Sequence, residues 1–174
     1  MSRAVGWGLL LLVTVLFAGC ATSRISTIPV SGRLATSVKV IALDPGGGLL
    51  ADAVGVELSN KGFTVIDSAT TSKLMARLNI NEIEISTPVG LQKLKEQGVE
   101  AYLTVRAAGG YDQQPQSASA RVNRKDTGQI VAGITWQNGW GGQAGSIADR
   151  TMRKGLAEAV TEIAEALVKS ISPR

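Results

Sequence analysis

The stretch VKVIALDPGGGLLADAVGVELSNKGFTVID, residues 38–67, decides the fold class. Val38-Lys39-Val40-Ile41-Ala42-Leu43 is a short β-branched run, the composition of a mostly buried strand. Asp44-Pro45-Gly46-Gly47-Gly48 ends it, since Pro offers no N–H to a ladder and glycine no side chain to pack. Leu50, Val54 and Leu58 then recur on one helical stripe, and Gly62 stands as the stop after Lys61. Phe63-Thr64-Val65-Ile66-Asp67 returns to the strand pattern. Strand, helix, strand is the alternation of a layered α/β fold.

Downstream, Ser68-Ala69-Thr70-Thr71 offers caps for a short helix through Leu74, Met75 and Leu78. Thr87-Pro88 sets a cap before a first-turn proline, opening a helix through Leu91 and Leu94 to Gly98. Glu100-Ala101-Tyr102-Leu103-Thr104-Val105 reads as a third strand. The period then becomes two: Ala118, Ala120 and Val122 alternate with polar residues, as do Ile130, Ala132, Ile134 and Trp136. A Gly-bearing turn at Lys125-Asp126-Thr127-Gly128 joins them into a hairpin. From a capping box at Ser146-Ile147-Ala148-Asp149, one long closing helix is expected, with Met152, Leu156, Val160, Ile163, Leu167 and Ile171 on its apolar stripe. The expected architecture is α/β (α+β): one domain over residues 38–174, a mixed sheet of about five strands, packed helices and a long C-terminal amphipathic helix.

The N-terminus speaks to location. Arg3 precedes an apolar run from Val5 to Ala18, too short to cross a bilayer as a helix, which takes about 20 residues. Its length and flanks fit a secretory signal peptide over residues 1–19. The run ends Leu16-Phe17-Ala18-Gly19-Cys20, and Cys20 is the only cysteine in the chain. Small residues before a lone Cys resemble the lipobox of bacterial lipoproteins, which implies cleavage before Cys20 and its diacylation and palmitoylation. Two or three acyl chains hold a membrane firmly where one does not. Ala21 at the next position, rather than Asp, implies sorting to the outer membrane with the domain facing the periplasm. Residues 20–37 are Ser/Thr-rich and carry Pro29, and read as the lipidated Cys and a tether.

Composition narrows the chemistry. The chain has 174 residues, no His, one Cys and a formal charge of +4. A His/Cys metal centre and a His-based triad are therefore excluded within one chain. The mild positive charge is no nucleic-acid signature. Gly46-x-Gly48-x-x-Ala51 matches a dinucleotide-binding turn, with Asp67 where a ribose-binding acid would stand. Asp44-Pro45 intervenes between strand and turn, and a flexible connection explains the glycines better. Glu82 and Glu84 would share a face if their segment is extended, as paired carboxylates in sugar hydrolysis must; a solvated strand face accounts for them equally. No catalytic residue, cofactor site or metal site is assigned, and the chain is expected not to be an enzyme.

Contact residues are easier to name. Trp136 keeps phase with Ile130 and Ile134, which favours core packing, while Trp140 lies among glycines; either is a candidate for a membrane or subunit interface. Arg121, Arg124 and Lys125 form a basic cluster near the hairpin turn, either a solvated edge or a partner contact.

The order of segments resembles the CsgG-like family of bacterial envelope lipoproteins. The similar phrases are Val38–Leu43, Gly62–Asp67, Gly98–Leu103, Asp126–Val131 and the closing helix, across residues 38 to 172. The resemblance implies an anticodon-binding-like core, and subunits that pack side by side into rings. Long membrane-spanning hairpins are not apparent, so it implies a small, non-pore member. Small members serve exopolysaccharide export, and others activate cell-wall enzymes. The expected function is thus a non-enzymatic, oligomeric scaffold or accessory subunit in export of exopolysaccharide or protein, or in envelope assembly. Its partners would be the membrane, copies of itself, and an envelope protein or polysaccharide. The alternative is a monomeric lipoprotein that docks on and activates a cell-wall enzyme.

Overall fold

A computed structural model describes residues 21–28, 38–109, 114–124, 128–139, 143 and 145–172. In chain order the elements are β1 (Ser23–Ile28), β2 (Val40–Leu43), α1 (Gly48–Asn60), β3 (Thr64–Ile66), α2 (Ser68–Leu78), α3 (Pro88–Glu96), β4 (Ala101–Gly109), β5 (Pro115–Arg124), β6 (Ile130–Asn138), α4 (Ile147–Met152) and α5 (Leu156–Ile171). Short 3-10 turns occupy Pro45–Gly47 and Glu84–Ser86. The strands make one mixed sheet in the order β1-β6-β5-β4-β2-β3. β2 runs parallel to both β3 and β4, and every other pairing is antiparallel.

Helices cover both faces at the β2 end of the sheet, so β2 needs no polar alternation: Ile41, Ala42 and Leu43 are all buried. On one face, Ile41, Leu43, Leu103, Val105, Ala120 and Ile134 pack against the stripes of α1 and α5. On the other, Ala42 and Tyr102 pack against Leu74 and Met75 of α2 and Leu91 and Leu94 of α3. The second cluster is smaller and stops at β4. From there outward, β4, β5, β6 and β1 leave one face without a helix.

Two expectations are corrected. The stretch read as a tether contributes a sixth strand. Ser23–Ile28 pairs along its whole length with β6, from Ser23 opposite Asn138 to Ile28 opposite Gly133. Its Ile and Thr residues suit an edge strand, although it faces mostly solvent and so shows no apolar alternation. Residues 29–37 lie outside the described residues. The closing helix is broken as well: α4 and α5 are separate, because the side chain of Asn138 takes the Lys154 backbone out of the helical ladder. Lys154 N–H donates to Asn138 Oδ1 at 2.8 Å, and Asn138 Nδ2 donates to the Lys154 carbonyl at 2.9 Å. A backbone group bonded sideways cannot also continue a helix. The next helix restarts at Gly155, whose N–H donates to the Glu158 carboxylate at 2.6 Å.

Candidate anchoring and contact surfaces

The first residues after Cys20 are held by three separate elements. Thr22 accepts a hydrogen bond at its carbonyl from Gly139 N–H, 2.7 Å away. Ser23 Oγ donates to Glu162 Oε2 at 2.6 Å, and the Trp136 indole donates to the same oxygen at 2.7 Å. Lys154 Nζ pairs with Glu162 Oε1 and also reaches Ser23 Oγ at 3.0 Å. Helix α5, strand β6 and the α4–α5 break thereby meet on β1. Burial pushes the Glu162 carboxyl up. The hydrogen bonds from Lys154, Ser23 and Trp136 outweigh it and hold the carboxyl below the usual glutamate range. Gly139 is the residue that permits this approach, since a Cβ there would lie 2.5 Å from the Thr22 carbonyl oxygen.

A second polar group pins the turn after β2. Asp44 is buried, accepts from Tyr102 Oη at 2.6 Å and pairs with the Arg106 guanidinium. Burial first, then the hydrogen bond and charge of Asp44, push the Tyr102 phenol far above its ordinary range, so it stays a neutral donor. This pairing fixes Arg106 on the face that α2 and α3 leave open. The register carries that face outward: Arg106 lies opposite Ser119, Ser119 opposite Thr135, and Thr135 opposite Ser26. One row toward the β1 start, Arg24 lies opposite Gln137; one row the other way, Arg121 lies opposite Thr104. Arg24 and Arg121 are both exposed.

Trp136 is 1% exposed and belongs to the core, so it is corrected as a membrane or subunit contact. Arg121 and Arg124 do not form one cluster. Arg124 pairs with Ala101 and Arg121 with Thr104, three residues apart on a strand and so on opposite faces. Arg121 instead joins Arg106 and Arg24. Cys20, Trp140 and Lys125 lie outside the described residues. The dinucleotide reading loses its acid, because Asp67 caps α2, accepting from Thr70 N–H at 2.7 Å and Thr70 Oγ1 at 2.9 Å. The Glu82–Glu84 face is not extended. Asn81 Oδ1 accepts from the N–H groups of Ile83 and Glu84, each at 2.9 Å, and Glu84 returns a carboxylate to Asn81 N–H at 3.2 Å. Asn81 and Glu84 thus bond reciprocally across the turn that leads into the 3-10 segment.

Three features escaped the sequence reading: Ser23, Lys154 and Glu162 as a clamp, Asn138 as a helix breaker, and Arg24 and Arg106 as members of a basic face. The clamp joins residues 139 positions apart, and nothing local marks Glu162 among the other acids of α5. The strand period would have placed Arg106 and Arg24 once their neighbours in the sheet were known. Beside α2, a shallow cavity of about 370 Å³ is lined by Ile66, Thr70, Lys73, Leu74, Arg77 and Gln97. Among the described residues, no cluster of His, Cys, Asp or Glu fit to hold a metal is present, and no helix is long and apolar enough to cross a membrane.

No family model and no curated protein matches the sequence. Solved structures of similar fold are found. The PelC dodecamer from Paraburkholderia phytofirmans is similar with a TM-score of 0.50 at 15% identity, covering 88% of this chain and 99% of that one. Lipoprotein GNA1162 from Neisseria meningitidis gives 0.46 at 18% identity over 76% of this chain and 99% of that one. The LpoB C-terminal domain from Salmonella enterica gives 0.42 at 19% identity over 59% and 84%. At such identities the likeness to PelC speaks for the fold alone.

Proposed function

We propose that the chain is a lipoprotein, cleaved before Cys20, lipidated there and anchored in the outer membrane with its domain in the periplasm. It works as a non-enzymatic, homo-oligomeric scaffold or accessory subunit for export or envelope assembly. The observation that carries this reading is the clamp on Thr22 and Ser23. Cys20 precedes Thr22 by two residues, which span at most about 7 Å. A lipid on Cys20 would therefore hold the sheet against the bilayer. Gly139, bonded to Thr22, directly precedes Trp140, which the reading brings to the same lipid boundary, where an indole ring is favoured. The hairpin tip, eight residues further along β6, would lie about 25 Å from that boundary at ~3.3 Å per residue.

Support for a scaffold rather than a catalyst comes from the carboxylates that looked most like chemistry. Asp67 and Glu84 are both committed to capping backbone N–H groups. Support for assembly comes from the shared fold with a protein solved as a dodecamer and from the resemblance to a ring-forming family. Two measurements test the reading. Labelled palmitate should enter the full chain and not its Cys20→Ser variant; equal labelling, or none, overturns the anchor. Light scattering of the detergent-extracted chain should give one discrete multimer. A monomer at every concentration would overturn the scaffold and move the reading to a docking module for a cell-wall enzyme.

A further inference from the structure

We propose that the open face of β4, β5, β6 and β1 binds an acidic polysaccharide, with Arg24, Arg106 and Arg121 as its anion contacts. The proposal deepens the export reading by giving the polymer a charge, and it rests on that reading for its setting. The binding itself needs neither the lipid nor the multimer.

Charge is the first argument. Arg24 and Arg121 are exposed and have no partner among the described residues. Arg106 is held in place by Asp44, yet more than half of its side-chain surface stays exposed. Its carboxylate partner is buried beneath it, so the guanidinium and not the acid meets solvent. The register sets the spacing. Arg106 and Arg121 are diagonal neighbours on adjacent strands, about 8 Å apart at their Cα atoms, and Arg24 lies about 16 Å from each. Arg106 and Arg121 lie within about one Debye length of each other at physiological salt, about 8–10 Å, and act as one field, while Arg24, at about twice that distance, is a separate contact for a flexible anionic chain. Guanidinium forks match carboxylates in geometry as well as charge.

The floor between the arginines selects the class of polyanion. It is made of hydroxyl and amide side chains: Ser26, Thr135, Ser119, Ser117 and Gln137. Aromatic side chains are absent from it among the described residues, and its exposed large apolar side chains are Ile28 and, toward the hairpin end, Ile130. Protein interfaces bury an apolar or aromatic centre, and single-stranded nucleic acids stack on aromatic rings. A hydroxyl-rich chain carrying carboxylates asks instead for hydroxyls, amides and guanidinium groups. The arginines are also strung along the strands: Arg24 lies one residue from the clamped end, and Arg121 about 13 Å further down the sheet. A chain passing away from the anchored end would meet them in turn.

Polygalacturonate is a suitable probe, with dextran as the neutral control and polyglutamate as a polyanion of protein chemistry. Binding to the full chain in non-ionic detergent should be measured by calorimetry at 0.05 and 0.5 M salt. The expected result is binding of polygalacturonate, none of dextran, weaker binding of polyglutamate, and attenuation by salt. Arg24→Gln combined with Arg121→Gln should weaken binding about tenfold, the scale of one charge-assisted hydrogen bond at an exposed site. Arg106 is left intact because its loss would leave Asp44 buried and unpaired. Should the double variant fold poorly, Arg121→Thr, a strand former, should still weaken binding severalfold. Lys73→Gln with Arg77→Gln, at the cavity beside α2, should leave it unchanged. No binding of polygalacturonate, or binding that survives both arginine variants, overturns the proposal. Polyglutamate binding as tightly as polygalacturonate overturns the polysaccharide assignment in favour of an acidic protein. A chain unlabelled at Cys20 that still binds polygalacturonate overturns only the anchor; a labelled multimer that ignores the polymer overturns only this inference.

Discussion

Glu162 is the residue on which the clamp at the start of β1 depends. One of its oxygens accepts from both Ser23 and Trp136, and the other faces Lys154. Its folded-state carboxyl titrates below the ordinary value of 4.5. The sign follows directly: above about pH 4.5 the carboxyl is ionised in both folded and unfolded chains, and the clamp contributes its full stabilisation. As pH falls from there through the lower folded value, the unfolded chain takes up the proton more readily, and the contribution is lost. The protection factors of the β1 amides, which allow for the intrinsic slowing of exchange in acid, should therefore fall as pH drops below the ordinary glutamate value, before those of the core amides follow. Glu162→Gln should remove this acid sensitivity and cost about 1–2 kcal/mol near neutral pH by leaving the Lys154 ammonium without its counter-charge. Protection factors in β1 that fall with acid as much in the variant as in the parent would count against the clamp. Gly139→Ala tests the same place sterically: its Cβ would meet the Thr22 carbonyl oxygen at 2.5 Å and the Met152 carbonyl oxygen at 3.1 Å. Displacement of β1 should cost about 1–3 kcal/mol, read in a denaturant melt, with β1 exchange most affected.

At the scale of elements, the legible parts of this protein are those whose signal is local. Thr87-Pro88 predicts the start of α3, and Thr87 Oγ1 does accept from Gly90 N–H at 3.3 Å. Gly62 and Gly98 adopt positive φ, +92° and +84°, at the stops where the sequence put them. The hairpin of β5 and β6 was written in its period of two. What could not be read is whatever a distant residue decides. The apolar stripe of the closing helix continues through Met152, so nothing near Lys154 warns that Asn138 will intercept its backbone. Ser23–Ile28 has tether composition because an edge strand facing solvent has no need of apolar residues. Asp67 shows the reverse: a residue that invites a functional reading from spacing is accounted for by a cap. Asp67→Ala should cost about 1 kcal/mol of stability, measured by urea denaturation, and should shift the exchange of the first turn of α2 most. Stability equal to the parent would mean that the cap contributes nothing, and would reopen a role for the exposed carboxylate.

For the molecule as a whole, β1 decides how one edge of the sheet is closed. It covers the long edge of β6, whose Ile134 and Trp136 belong to the larger core. An uncovered edge of that length is a template for pairing with other chains. If residues 21–28 were only a leash, deleting them would leave the domain intact. The sheet order predicts otherwise. A chain beginning at residue 29 should lose the Glu162 clamp together with the β1 ladder, melt several degrees below a chain beginning at residue 21, and associate irregularly through β6. Calorimetry and light scattering on the two chains decide it, and equal melting with equal mass would return the segment to a tether. The outcome also bears on orientation. An anchor that enters directly into a hydrogen-bonded strand transmits the position of the lipid to the sheet, whereas a flexible leash transmits none. In the lipid-anchored chain proposed above, inserting a ten-residue Gly/Ser spacer between Ala21 and Thr22 should leave the melt unchanged while uncoupling the domain from the bilayer. Spin labels at Arg121 and at Leu49 would read this as a loss of their fixed depths relative to the membrane. Fixed depths that persist with the spacer would mean that the domain is held to the bilayer by a surface of its own.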